Sequence, residues 1–250
     1  MEFCADDVLA YAGARHRFVA GAPFALGEDY RLAHLPLVRP GHRMAIRSVH
    51  GRDYVDGRYA TPRAALVAHV PAEALEASAE FQAAEAALRA APFAAKIAWE
   101  ICERRRQALH ASIARPSSEA AAVRLRATAA ALTTAHGAPA LRLGGPFVGS
   151  RNHGRIYLPA YPQRIEGGNP YDALQRAAGQ DVWPFYAVGI WHLAEALDAH
   201  EAAALADLCA GWFGRETARI PFARLAILTV TDDLALGGAN WDWIDSYDYP

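Results

Sequence analysis

The sequence predicts an α+β protein in which antiparallel strands and helices are mixed from residue 63 onward. Short apolar runs alternate with alanine-rich stretches of helical length, in the order β-α-α-β-α-β-β-α-β-α-β. Two neighbouring apolar runs are separated by Gly, Ser and Asn, which indicates a hairpin and favours this class over a doubly wound parallel sheet. Hydrophobic residues make up 53% of the 250, so the chain can bury a large core.

Residues 1–62 differ from the rest and are predicted to form an N-terminal extension that packs on a main domain, 63–250. The extension is rich in Gly, Pro, Arg and His, with short candidate strands at Arg17–Val19 and Arg43–Val49. Tyr54–Tyr59, with Asp56-Gly57 at its centre, is typical of a hairpin turn. His34, His42 and His50 lie eight residues apart, which suits no metal-binding helix face, so they are interpreted as surface or loop residues.

The first half of the main domain begins with a strand at Ala64–Val70, which Pro71 ends. Pro71 also opens an Ala/Glu/Leu-rich helical region that Pro92 divides into helices at about 72–90 and 93–106. A second strand, Leu109–Ala114, is followed by a serine-capped helix at about 118–135.

The second half begins with a long hairpin formed by 139–143 and 155–161. A short helix through Ala178, an aromatic strand at 183–193, a helix at 198–213 and a β-branched strand at 222–231 follow. The tail, 232–250, is acidic and aromatic and is predicted to be loop with a short helix. In each half a histidine-bearing strand is followed by a capped helix and a further strand, which indicates a rough internal duplication.

His110 and Ser112 are the strongest candidates for a chemical site. Alternate residues of a strand share one face, so the imidazole and the hydroxyl project together. A hydroxyl beside an imidazole can hold a phosphate oxygen while the imidazole moves a proton. Arg115 lies just beyond this strand and either steers an anion or is a solvated end. Arg104–Arg106 is interpreted as a solvated helix end, with a role in the cleft as the alternative.

His192 occupies the same place in the later strand as His110 does in the earlier one, just before a capped helix. The duplication therefore predicts that both histidines face one cleft. Tyr186, on the same later strand, is interpreted as a core or cleft-wall residue and is included among the candidate substrate contacts. Adjacent carboxylates at a strand end point to opposite faces, so Asp232 and Asp233 are not expected to form a metal pair.

The motif His110-Ala111-Ser112, the opening strand around His69, the Gly145-Pro146-Phe147 hairpin and the order of elements resemble the two-histidine (2H) phosphoesterases. This family includes the LigT-type RNA 2′,3′-cyclic phosphodiesterases, and the resemblance covers about 63–232. It implies a two-lobed duplicated LigT-like fold with antiparallel sheets around a central cleft. The chain departs from the family at Ala194, where the second motif has Thr or Ser, so the second motif is degenerate.

The resemblance implies a metal-independent phosphodiesterase that hydrolyses a cyclic phosphate or a small nucleotide-like phosphodiester. His110 and His192 would exchange protons with the substrate, while Ser112, Arg115 and Tyr186 would contact it. The substrate would be a small phosphorylated molecule, such as a cyclic nucleotide or an RNA end. The alternatives are a non-catalytic nucleotide- or phosphate-binding module, which Ala194 favours, and an accessory protein of a phosphate or phosphonate pathway.

Composition excludes other classes. A formal net charge of −2 does not suit non-specific binding of long nucleic acid. The three cysteines are far apart and lack metal-binding spacing, which argues against a disulfide framework and a zinc site. Neither glycine-rich phosphate-binding motif of nucleotide-binding proteins is present, and no cofactor is predicted. No signal peptide or apolar run of membrane-spanning length is seen, so a cytoplasmic location without membrane contact is expected.

Overall fold

The computed structural model describes residues 1–39, 41–42, 47–49 and 52–244. The helices are α1 (Tyr11–Ala14), α2 (Glu28–Ala33), α3 (Leu35–Val38), α4 (Ala72–Glu76), α5 (Ala79–Ala90), α6 (Trp99–Arg105), α7 (Glu119–His136), α8 (Tyr171–Ala177) and α9 (Ala199–Gly211). The strands are β1 (Arg47–Val49), β2 (Arg52–Val55), β3 (Arg58–His69), β4 (His110–Ala114), β5 (Leu141–Gly144), β6 (Phe147–Val148), β7 (Arg155–Pro162), β8 (Ala187–His192), β9 (Glu216–Ile220), β10 (Leu225–Asp232) and β11 (Ala239–Trp243).

The strands form one antiparallel sheet, which confirms the predicted α+β class. Its order is β11-β10-β3-β4-β8-β7-β5-β9, with the β1–β2 hairpin on β3 and β6 on β7. The two halves of the chain meet between β4 and β8, where Ala111 pairs with Val188. The histidine-bearing strands β4 and β8 are therefore neighbours at the centre of the sheet.

One face of the central sheet packs against the helices, and the other face carries the polar side chains. Leu66, Ala111 and Val188 are buried in a core cluster that also contains Phe81 of α5 and Leu125 of α7. On the opposite face, cross-strand pairing places Val67 beside Ser112 and His69 beside His110. This separation of an apolar face from a polar one follows from the two-residue period of each strand.

The helix ends follow the capping residues of the sequence. Ser118 Oγ accepts from Ala121 N at 3.2 Å and starts α7, as predicted, and Gly137 at φ 75° ends it. Asp198 and Glu201 form a capping box at the start of α9. Ser78, which the sequence prediction passed over, caps α5 and divides the region before Pro92 into α4 and α5.

Several predicted strands differ from those observed. The hairpin at Tyr54–Tyr59 is confirmed, but its second strand continues without a break as β3 to His69. Arg17–Val19 is not a strand, and of the predicted strand Arg43–Val49 the part 43–46 lies outside the described residues. The tail pairs with β10 as strand β11, whereas a loop and a short helix were predicted, and 245–250 lie outside the described residues.

Two buried tyrosines of the extension form hydrogen bonds with the backbone in and next to the main strands. The hydroxyl of Tyr11 donates to Ala160 O at 2.7 Å and accepts from Ala160 N at 2.9 Å. The hydroxyl of Tyr30, in α2, donates to Leu193 O at 2.7 Å, just after β8. The extension therefore covers part of the sheet rather than hanging free of it.

The close approach of Gly145 to the end of α9 gives a stability test. A Cβ at this position would lie 2.1 Å from the carbonyl oxygen of Trp212, which is backbone and has little room to move. We expect Gly145→Ala to lower the free energy of unfolding by about 1–3 kcal/mol in urea titrations. Gly13→Ala is the matched control, because a Cβ there meets nothing within 4 Å. Equal stability of the two variants would contradict this packing.

Candidate functional site

A cleft of about 200 Å³ lies on the polar face of the sheet. Its floor is formed by β3, β4, β7 and β10, and its rim by the residues that follow β10. The polar and ionisable side chains that line it are Tyr59, Arg63, His110, Ser112, Arg115, Arg155, Tyr157, Asp232 and Asp233. Three of the five residues predicted for the site, His110, Ser112 and Arg115, are therefore brought together.

His110 is held as a neutral ring with a defined tautomer. Its Nδ1 lies 2.7 Å from the carbonyl oxygen of Ala108, so Nδ1 carries the proton and Nε2 keeps the free lone pair. Burial lowers the pKa of His110 to about 4, helped by the positive charges of Arg105 and Arg155 and opposed by the Ala108 bond. At neutral pH this imidazole is a proton acceptor and not a cation.

Two arginines of the cleft have no carboxylate partner among the described residues. Arg155 Nη2 lies 3.4 Å from Gly189 O, and its Nε is buried without a hydrogen-bond partner. The Arg63 guanidinium lies 4.4 Å from the ring centroid of Tyr59. Gly189 makes room for Arg155, since a Cβ there would lie 1.9 Å from the arginine Nε. Both cations are therefore available to an anionic ligand.

The two aspartates of the cleft are already engaged by the protein. Asp232 accepts from the backbone amides of Leu234, Leu236 and Gly237 at 2.7–3.0 Å, which shapes the turn after β10. Asp233 accepts from the hydroxyls of two tyrosines, Tyr54 and Tyr59. Burial acts to raise the pKa of Asp233, but the nearby His34, the Tyr59 hydroxyl and Arg155 hold it well below its usual range. Asp233 therefore stays ionised and offsets part of the arginine charge.

His192 does not line the cleft. Its ring is completely buried, with Nε2 3.0 Å from Arg105 Nη1 and ring centroids of Tyr30 and His34 at 6.4 and 5.9 Å. Burial and the neighbouring cations Arg105 and Arg155 lower its pKa well below the usual value, so it accepts from the guanidinium through Nε2. The predicted meeting of His110 and His192 in one cleft therefore does not occur, because Tyr30 of α2 and His34, between α2 and α3, pack against the second imidazole.

Arg105 corrects the interpretation of Arg104–Arg106 as a solvated helix end. Its side chain is 1% exposed and donates from Nε to Leu234 O at 2.9 Å and from Nη1 to Gly189 O at 2.6 Å. Burial and the charge of Arg155 lower its pKa to about 9, which still leaves it charged at pH 7. The middle arginine points inward because successive helical residues are about 100° apart, so neighbouring side chains cannot all face solvent.

Tyr186 and position 194 lie away from the cleft. Tyr186 is in the core, where its hydroxyl accepts from Asn169 Nδ2 at 3.0 Å and its ring contacts Tyr171 edge-on. The cleft is lined by its neighbours Phe185 and Ala187. Ala194 lies beyond the end of β8 and donates its backbone N–H to Lys96 O at 2.8 Å. The missing hydroxyl at 194 therefore leaves no gap in this cleft.

Arg155, Asp233 and His34 belong to one polar group that was not predicted from the sequence. His34 was interpreted as a surface or loop residue, yet its side chain is 1% exposed and its Nε2 lies 3.6 Å from Asp233 Oδ2. Arg155 carried a weak signal, because a charged residue opening an apolar strand is placed next to the sheet face. Of the two other histidines interpreted as surface or loop residues, His42 lies outside helices and strands and His50 is not among the described residues.

Comparison with protein-family models, with curated proteins and with solved structures returned no match. In the part of the chain that the structure describes, no cluster of three or more His, Cys, Asp or Glu residues is arranged to hold a metal ion. Among the same residues, none of the helices is both long enough and apolar enough to cross a bilayer. The side chains of the cleft therefore provide the indication of function.

The buried pair of His192 and Arg105 predicts a pH-dependent loss of stability. His192→Leu removes the acceptor of one buried N–H, which we expect to cost about 1–3 kcal/mol in urea unfolding at pH 8. The folded-state pKa of His192 lies below its unfolded value, so the unfolded chain binds more protons as the pH falls through about 6.5. The free energy of unfolding of the wild type therefore falls towards pH 5. Because the leucine variant lacks this titration, the difference in unfolding free energy between the two proteins becomes smaller. The control is His136→Leu at the exposed end of α7, and a penalty independent of pH would argue against the buried neutral ring.

Proposed function

We propose that this protein is a metal-independent phosphodiesterase that binds a small phosphorylated substrate in the His110 cleft. The proposal rests on four side chains that line one cavity. They are a neutral His110, the hydroxyl of Ser112, and Arg63 and Arg155, which form no ion pair with a carboxylate among the described residues. Guanidinium groups bind phosphate oxygens through paired hydrogen bonds, and a hydroxyl adds a further donor. A histidine next to a bound phosphate supplies proton transfer.

The size of the cleft sets how much of the substrate it can enclose. Its volume of about 200 Å³ is below the 300–1,000 Å³ typical of pockets that enclose a whole drug-sized ligand. It accommodates a phosphate group with a small substituent, while the remainder of a cyclic nucleotide or an RNA end would extend into solvent. This favours an enzyme that recognises the phosphodiester more strongly than the rest of the molecule.

In the proposed reaction, His110 Nε2 takes a proton from water as the water oxygen attacks phosphorus. The phosphorus–oxygen bond to the leaving ribose hydroxyl breaks, and that oxygen needs a proton. Tyr157 lines the cleft and is assigned as its donor, because its hydroxyl accepts from Asn152 Nδ2 at 3.0 Å and its own proton has no acceptor among the described residues. Arg155 neutralises the charge that develops on the non-bridging oxygens.

The resemblance to the two-histidine phosphoesterases, and with it the duplicated LigT-like fold and the cytoplasmic location, belongs to this proposal. The adjacent central strands β4 and β8, one from each half of the chain, are consistent with two related lobes. His192 enters the proposal in a different role from the predicted one. It accepts a hydrogen bond from Arg105 and does not exchange protons with the substrate.

The second candidate function is a non-catalytic phosphate-binding module. The burial of His192 favours it, because acid–base catalysis by two histidines requires both rings within reach of one phosphate. Phosphate binding without turnover of 2′,3′-cyclic nucleotides by the wild-type chain would select this second function.

The lowered pKa of His110 predicts the pH profile of the reaction. Because the neutral ring is the active form, kcat/KM should rise with pH through a midpoint near 4 and be level from about pH 5.5 to 8. His110→Gln should lower kcat by about 100-fold or more, whereas His136→Gln, at an exposed helix end, should leave it unchanged. An acid limb centred on 6.5, or full activity in His110→Gln, would remove His110 from the role of base.

The position of Arg155 can be tested through phosphate affinity measured by calorimetry. Arg155→Met removes a charged donor and should weaken inorganic phosphate binding by about tenfold or more. Gly189→Ala keeps the charge but places a methyl group where the guanidinium now lies, and should also weaken binding. Arg124→Met, on the exposed side of α7, is the charge-matched control. Unchanged affinity in both cleft variants would show that phosphate is not bound here.

A further inference from the structure

A second and larger cavity, of about 610 Å³, lies elsewhere in the fold. It is bordered by β5, β6 and β7 on one side and by the end of α9 on the other, and the extension contributes Arg15, His16 and Phe18 to its wall. None of its lining residues lines the His110 cleft. Its volume falls in the range typical of small-molecule sites.

The cavity wall carries one positive charge that the protein does not neutralise. The Arg142 guanidinium lies 4.2 Å from the ring centroid of Tyr161, and its Nε is buried without a hydrogen-bond partner. Within the described residues, no carboxylate forms an ion pair with Arg142. The other two arginines of the wall are paired, Arg15 with Asp6 at 3.5 Å and Arg215 with Glu80 at 2.6 Å.

Apart from the arginines, Asp6 and His16, the wall is mostly apolar and includes three phenylalanine rings. Phe147 and Val148 are contributed by β6, Phe213 by the end of α9 and Phe18 by the extension. Phe213 is 61% exposed, although it is a large apolar side chain, and the Arg15 guanidinium lies 4.4 Å from its ring centroid. Ring faces of this kind stack favourably on a flat aromatic ligand.

We infer that this cavity is a binding site for a small aromatic monoanion, such as an aromatic carboxylate or sulfonate. The anionic group pairs with Arg142, and the ring packs against Phe147 and Phe213. A single unpaired guanidinium matches a single negative charge, whereas Asp6 in the same wall disfavours a ligand of higher charge. The site is independent of the phosphate cleft and of the reaction proposed there.

Fluorescence titration of the full chain with 1-anilinonaphthalene-8-sulfonate tests the site, because this probe is an aromatic monoanion. We expect saturable binding of one probe per chain and displacement by 1-naphthoate. The uncharged 1-naphthalenemethanol should compete at least about tenfold less well, since it lacks the charge-assisted contact with Arg142. Equal competition by the acid and the alcohol would overturn the role of Arg142.

Arg142→Met should weaken probe and naphthoate binding by about tenfold, with little change for the uncharged alcohol. Arg63→Met is the matched control, because Arg63 also lies over a tyrosine ring but in the His110 cleft, and it should bind the probe as wild type does. If the methionine variant does not fold, Arg142→Lys should show a smaller loss, because it keeps the charge without the planar fork. Equal loss in the Arg142 and Arg63 variants, or none in the Arg142 variants, would overturn the proposal.

Phosphate binding in the His110 cleft is expected to be unchanged in the Arg142 variants. Failure of the aromatic-anion site is therefore separable from failure of the proposed function.

Discussion

The arrangement of the strands and turns around the cleft depends on the hydrogen bonds of one buried guanidinium, that of Arg105. It joins α6 to β8 through Gly189 O, to the turn after β10 through Leu234 O, and to the buried His192. No carboxylate forms an ion pair with it in the described part of the chain, so carbonyl dipoles and a neutral imidazole must offset the cost of taking the charge out of water. A lysine offers one point charge and could not satisfy these separate acceptors with the same planar geometry.

This buried charge also sets the electrostatics of the cleft. The guanidinium groups of Arg105 and Arg155 both lie within hydrogen-bond distance of Gly189 O. Burial and these two cations lower the pKa values of His110 and His192. The result is a pair of histidines that are neutral for similar reasons but differ in access. His110 is half-buried at the cleft, whereas His192 is enclosed by Tyr30 and His34 of the extension. The extension thus decides which imidazole can meet a ligand.

Local sequence pattern was sufficient to predict part of the site and of the fold. The motif His110-Ala111-Ser112 predicts that both polar side chains share one face, and the register of β4 against β3 places them so. The predicted serine cap marks the start of α7, and the helix predicted from residue 198 begins as α9. The same reasoning failed for Arg105, His34 and Tyr186, because burial of a single side chain depends on which distant segment covers it. A helical basic triplet gives no sign that a turn 129 residues later will accept a hydrogen bond from its middle member.

By itself, the sequence determined the α+β class, most of the helix and strand positions, and the joint projection of His110 and Ser112, because each follows from short-range periodicity and capping. The tertiary structure alone decided that Arg155 and Arg63 join this pair, that His192 is sealed beneath the extension, and that a second cavity opens around Arg142. These features depend on strands and loops that are far apart in the chain. Their contacts are set by packing and by the satisfaction of buried polar groups, which no local pattern encodes.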